Sequence, residues 1–105
     1  MVAVNVVVLV GTVAADPVLR ELPSGDEVTE LKLSVPEAEK RLLPLPVAAW
    51  HKSVGKRVLK DIAKGDAVLV YGQVIRRFYR NGGNARSVME VVASGIKKLE
   101  QPEEE

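Results

Sequence analysis

Ala67-Val-Leu-Val-Tyr-Gly-Gln-Val-Ile-Arg-Arg-Phe-Tyr-Arg80 is followed by Asn81-Gly-Gly-Asn84 and then by Ala85-Arg-Ser-Val-Met-Glu-Val-Val-Ala-Ser-Gly-Ile-Lys-Lys-Leu99. Two β-branched, alternating runs around an Asn/Gly cluster specify a long antiparallel hairpin. Successive side chains of a strand point to opposite faces. Val68, Val70, Gly72 and Val74 therefore share one face of the first arm, and Leu69, Tyr71, Gln73, Ile75, Arg77 and Tyr79 the other. The first set is a core face. The second starts apolar and ends in Arg77 and Tyr79, with Arg76, Phe78 and Arg80 interleaved near the tip. A hairpin packed at its base and carrying cations and rings at its tip suits a polyanion with flat bases.

Working outward, the 105 residues make one domain over 1–99, with 100–105 a short acidic tail expected to be disordered. There is no cysteine and only one histidine, which removes disulfides and thiolate chemistry and leaves little basis for a metal site. No Ser/His/Asp set, phosphate-binding glycine loop or metal-ligand spacing is present, so no catalytic residue, cofactor, metal or small-molecule substrate is expected, and no enzyme. The N-terminal apolar run is far short of the ~20 residues of a membrane span and carries no basic leader, so a soluble, cytoplasmic protein is expected.

The net charge of +1 conceals an asymmetry. Residues 1–49 hold four Lys/Arg against seven Asp/Glu, a net −3, and residues 50–98 hold eleven against three, a net +8. The last seven residues add four glutamates. A basic half beside an acidic end fits a nucleic-acid face, or equally a solvated surface with a solubilising tail.

Val4–Val13 reads as a first strand, apolar on both faces: Val4, Val6, Val8 and Val10 on one, Val7 and Leu9 on the other. Such a strand is covered twice, by a second subunit or by the curl of a small barrel. Asp16-Pro17 marks a turn, Leu19–Leu22 reads as a short strand segment, and Glu27–Val35 alternates as a second strand after the Pro23-Ser24-Gly25-Asp26 turn. Pro36, Pro44 and Pro46 make Pro36–Leu45 a solvated loop. A third strand runs from Val47 to about Ser53, and Lys56–Lys64 forms the single helix, its apolar face Val58, Leu59, Ile62 and Ala63. Three strands, one helix and the two arms of the hairpin give an all-β chain with one helix, in the order of a five-stranded OB-fold barrel.

At this point the chain resembles the bacterial single-stranded DNA-binding protein family in a short form. The resemblance rests on Asn5-Val6-Val7-Val8-Leu9-Val10-Gly11, Asp16-Pro17 with Arg20, Pro23-Ser24-Gly25, Trp50-His51, Gly55-Lys56, Lys64-Gly65 and Tyr71-Gly72-Gln73-Val74, in the family's order from residue 4 to residue 99. It implies an OB-fold, sequence-independent binding of single-stranded DNA, with RNA left open, in replication, recombination or repair, and a homodimer or homotetramer near the bacterial nucleoid. Three departures stand out: a usual ring position of the loop after the second strand is occupied by Glu37-Ala38-Glu39-Lys40, the third strand reaches Gly55-Lys56 early, and the long tail with an aromatic tip is missing. They keep open a primosomal-type or adaptor OB module acting mainly through protein contacts.

By the same resemblance Trp50 matches a stacking position, against the reading of a core indole, and Tyr79 lies nearest another, with Phe78 one residue away on the opposite face. Arg76, Arg77, Arg80 and Arg86 at the hairpin tip, with Lys52, Lys56 and Arg57, form the candidate phosphate track. Val6, Val7, Val8 and Leu9 with His51 are the candidate oligomer interface.

Overall fold

The computed structural model describes residues 2–37, 39 and 41–100; the tail expected to be disordered lies, Glu100 apart, outside these described residues. The Asn/Gly cluster folds as a two-residue turn. Asn81 pairs with Asn84, and Gly82 and Gly83 take φ of 60° and 87°, the left-handed values that a primed hairpin turn demands and a side chain resists. Its arms are β5 (Ala67–Asn81) and β6 (Asn84–Leu99). A bulge at Tyr71/Gly72 bends the pair, and there a Cβ on Gly72 would collide with the Val92 carbonyl.

The earlier strands are β1 (Val7–Val13), β2 (Val18–Glu21), β3 (Glu27–Glu37) and β4 (Arg41–Trp50), followed by the helical turns α1 (His51–Val54) and α2 (Lys56–Lys60). The sheet order β1-β5-β6-β4-β3 closes on itself through Thr12↔Ser34 and Val13↔Leu33, and β2 extends the sheet beside β3. Five strands thus form a closed barrel, the expected OB-fold. Leu33, Val13, Val47, Val68 and Val70 fill its axis, and Leu59 and Ile62 plug one end. Each such burial stabilises the barrel by ~1.5–3 kcal/mol.

Several expectations are corrected. The stretch expected as a loop over Pro36–Leu45 is largely strand, because β3 runs on to Glu37 and β4 starts at Arg41, the two pairing antiparallel. Pro36 faces Leu42, Pro44 faces Ser34 and Pro46 faces Lys32, so all three prolines occupy one class of ladder pair. Antiparallel pairs alternate between hydrogen-bonded and non-bonded, and in the second class a missing N–H removes no ladder bond. The third strand ends at Trp50 rather than Ser53, since its partner β3 begins at Glu27 and Trp50 already pairs with Val28. The single helix is instead two short ones, parted by Gly55 at φ 96°, and the second stops at Lys60. Leu59 and Ile62 are buried as expected, whereas Val58 and Ala63 are exposed.

The first strand starts at Val7 rather than Val4. Asn5 prolongs its pairing by side chain: its Nδ2 donates to the Val74 carbonyl at 2.8 Å and its Oδ1 accepts the Val74 N–H at 2.9 Å. Val7 and Leu9 turn toward the barrel, partly buried and packed against its core. Val6, Val8 and Val10 point outward, 71%, 62% and 52% exposed, next to the half-exposed Tyr71 that pairs with Val8.

Candidate nucleic-acid interface

The outer face of the barrel carries a groove built by strand alternation. Even residues of β3 and β4 and odd residues of β5 point out, which brings Glu30, Trp50, Ile75 and Arg77 to one side; Arg20 of β2 joins them because it pairs with Val28. Trp50, Arg20, Ile75, Arg77 and Glu90 line an open hollow of about 270 Å³. A second hollow of about 340 Å³, between Asp16, Lys32 and Pro46, shares Glu30, Arg77 and Glu90 with the first. Arg77 therefore stands at the partition of a continuous groove. Volumes of this size sit at the lower edge of the ~300–1,000 Å³ of small-molecule clefts, which suits a flat ring better than a large cofactor.

Trp50 is half-buried at the groove, not enclosed in the core. Lys52 Nζ lies 5.4 Å from its ring centroid, a cation–π contact that covers one face of the indole. The two arginines are tied to carboxylates. Arg20 Nη1 donates to Glu30 Oε1 at 2.6 Å, and Arg77 lies 4.0 Å from the same oxygen and 3.9 Å from Glu90 Oε1. Arg20, Glu30 and Arg77 keep a third to a half of their side-chain surface in water, but Glu90 keeps only 8%.

The remaining candidates divide. Tyr79 pairs with Arg86 and shares the outward face with Arg77, extending the groove toward the hairpin tip. Phe78, Arg76 and Arg80 occupy the opposite face, where Arg76 lies 6.0 Å from the Phe78 ring centroid and Phe78 is 70% exposed. Near the tip both faces of the hairpin meet solvent, so these residues border the groove rather than line it. Lys52 lies 3.9 Å from Asp26, and Lys56 3.8 Å from Glu27. Lys56 lines a separate hollow with Pro17, Leu19 and His51, under the barrel end, and Arg57 is exposed on α2. His51 is held within its own chain, its Nε2 2.8 Å from Thr29 Oγ1.

Arg20, Glu30, Ile75 and Glu90 were not among the sequence candidates. The signal for Glu90 was there to be read: it is a lone carboxylate between Met89 and Val91 in an apolar strand. Among the described residues no group of three or more His, Asp or Glu is arranged to hold a metal ion.

A closed OB barrel whose outer face joins an indole to guanidinium groups defines a module of the oligonucleotide-binding architecture. The comparisons sharpen that class. The single-strand binding protein family model matches residues 4–99, and the chain belongs to that family. It is 26% identical to a single-stranded DNA-binding protein of Deinococcus radiodurans, over 92% of this chain and 35% of the relative. It is 31% identical to a single-stranded DNA-binding protein of Thermus aquaticus, over 95% of this chain and 38% of the relative. The chain thus spans well under half the length of these curated relatives. Its fold matches a structure of Plasmodium falciparum SSB in complex with ssDNA, with a TM-score of 0.81, 19% identity, and coverage of 95% of this chain and 98% of that one.

Proposed function

We propose that this chain binds single-stranded DNA with little regard to sequence, stacking bases on Trp50 and Tyr79 and placing phosphates on the surrounding cations, in replication, recombination or repair. One observation carries the reading: Trp50 opens onto the outer groove in company with Arg20 and Arg77, where a flat base can reach its ring. Arg86 opposite Tyr79 offers the next cation along the same face. Family membership and the names of the curated relatives support the same reading. The absence of a usual ring position after the second strand leaves Trp50 and Tyr79 as its principal platforms. We further propose a cytoplasmic homo-oligomer whose subunits cover the outward valines of β1.

Trp50 is the only tryptophan, so its fluorescence reports on one site. Titration with a pyrimidine oligodeoxynucleotide quenches it as a base stacks, and Trp50→Ala weakens binding by ~1–3 kcal/mol. Equal affinity of Trp50→Ala and wild type would reject the stacking role. A matched RNA strand in the same assay reads out the preference between the two polymers.

A further inference from the structure

Glu90 is an anomaly in the groove. Its side chain is 8% exposed, yet it lines both hollows of the groove and so faces the space a ligand enters. Among the described residues no donor hydrogen-bonds its carboxylate, and its cation, Arg77, stays 3.9 Å away. Its neighbour Glu30 differs, because Arg20 donates to it at 2.6 Å. Among the described residues only His51 Nδ1 is a fully enclosed side-chain atom without a partner, so the Glu90 oxygens open onto the groove, and an ionised carboxylate accepts up to about four hydrogen bonds and donates none. The floor of the groove therefore presents an acceptor to which no described residue donates.

We propose that Glu90 is a base-reading residue, accepting hydrogen bonds from the N–H groups of a base stacked on Trp50; the proposal rests on the single-strand reading above. The chemistry selects among bases. Cytosine and adenine offer an exocyclic amine, and guanine offers an adjacent imino and amino pair that matches a carboxylate. Thymine offers only N3–H, flanked by two carbonyl oxygens that a carboxylate repels. A phosphate is repelled outright, which orients the strand with bases inward and backbone over the rim cations. Glu90 thus tilts a stacking site toward amino-bearing bases without making it sequence-specific.

The test compares dC and dT oligonucleotides of one length on wild type, Glu90→Gln, Glu90→Met and Glu30→Gln. Each strand's own stacking cancels when the dC-to-dT affinity ratio of a variant is divided by that of wild type. Both Glu90 variants lower the ratio about five-fold or more, the equivalent of ~1 kcal/mol, the net contribution of a typical hydrogen bond. Glu30→Gln leaves it within two-fold of wild type, since Arg20 already occupies that carboxylate. A strand of N4,N4-dimethyl-2′-deoxycytidine, which has lost both donors, binds wild type about five-fold more weakly than dC, a measurement that needs no folded variant. An unchanged ratio in folded Glu90 variants, an equal fall in Glu30→Gln, or equal binding of the dimethylated strand would overturn the assignment. Wild type that binds neither dC nor dT removes the single-strand reading itself, and this inference with it. Wild type that binds both but fails the ratio test overturns this inference alone.

Discussion

Arg77 has two roles on one side chain. It offers a cation to the groove and stands as the nearest counter-charge to Glu90, at 3.9 Å. Breaking a pair that contains a buried charge strands the survivor, which costs more than the contact itself contributes. Arg77→Ala should therefore lower folding stability by ~1–3 kcal/mol, the range for a buried polar group left unsatisfied, as well as weaken strand binding. Glu90→Gln in the same background should recover the stability but not the affinity. Denaturant unfolding of the two single variants and the double variant checks this cycle; additive losses would show that the two side chains do not interact.

The Asp66 carboxylate ties together the junction between α2 and β5. The Ala63 N–H donates to Asp66 Oδ2 at 2.8 Å and holds the Asp66 carboxyl below its ordinary 3.8; desolvation opposes this, and Lys98 at 3.4 Å adds to it. A carboxyl whose folded value is depressed contributes stability that is whole above the unfolded value of 3.8 and is lost as pH falls through the lower folded value. Asp66→Asn should accordingly melt at a lower temperature than wild type at neutral pH. Thermal melts across the acid range should begin to converge near pH 3.8 and meet once pH has fallen through that lower folded value. A constant gap between the two curves at every pH would mean the effect is steric rather than ionic.

At the scale of the molecule, the outer side of the N-terminal segment and β1 is, among the described residues, a large apolar surface without a partner in the chain. Val2, Val4, Val6, Val8 and Val10 are each more than half exposed, and contiguous exposed patches of this kind mark interfaces. The alternation of β1 separates two variants that sequence alone would treat alike. Leu9→Glu places a charge against the core and should unfold the barrel, whereas Val8→Glu should leave circular dichroism native and lower the mass seen by light scattering. Wild type that scatters as a monomer at micromolar concentration would remove the proposed interface.

Local chemistry alone set much of this architecture. Asn81-Gly82-Gly83-Asn84 dictates a tight turn because it supplies two residues free to take positive φ, and the flanking alternation fixes which side chains share a face. Hence the hairpin, the pairing of Arg77 with Tyr79 on one side and the exclusion of Phe78 to the other were all legible, as was the five-strand order of the barrel. What neighbouring strands do to one another was not. Prolines read as loop markers at 36, 44 and 46, and only the register of β3 on β4 revealed that each falls where no ladder bond is needed. Alternation separates Val7 and Leu9 from Val6 and Val8, but both faces are apolar, and only closure of the barrel decides which of them is the inside. The groove is the clearest case. Arg20, Glu30, Trp50, Arg77 and Glu90 come from five separate strands, and no periodicity within one strand reports a contact made across several. Alternation orients a side chain relative to its own backbone, but only tertiary packing decides which distant charge it meets and how much water is left to screen them.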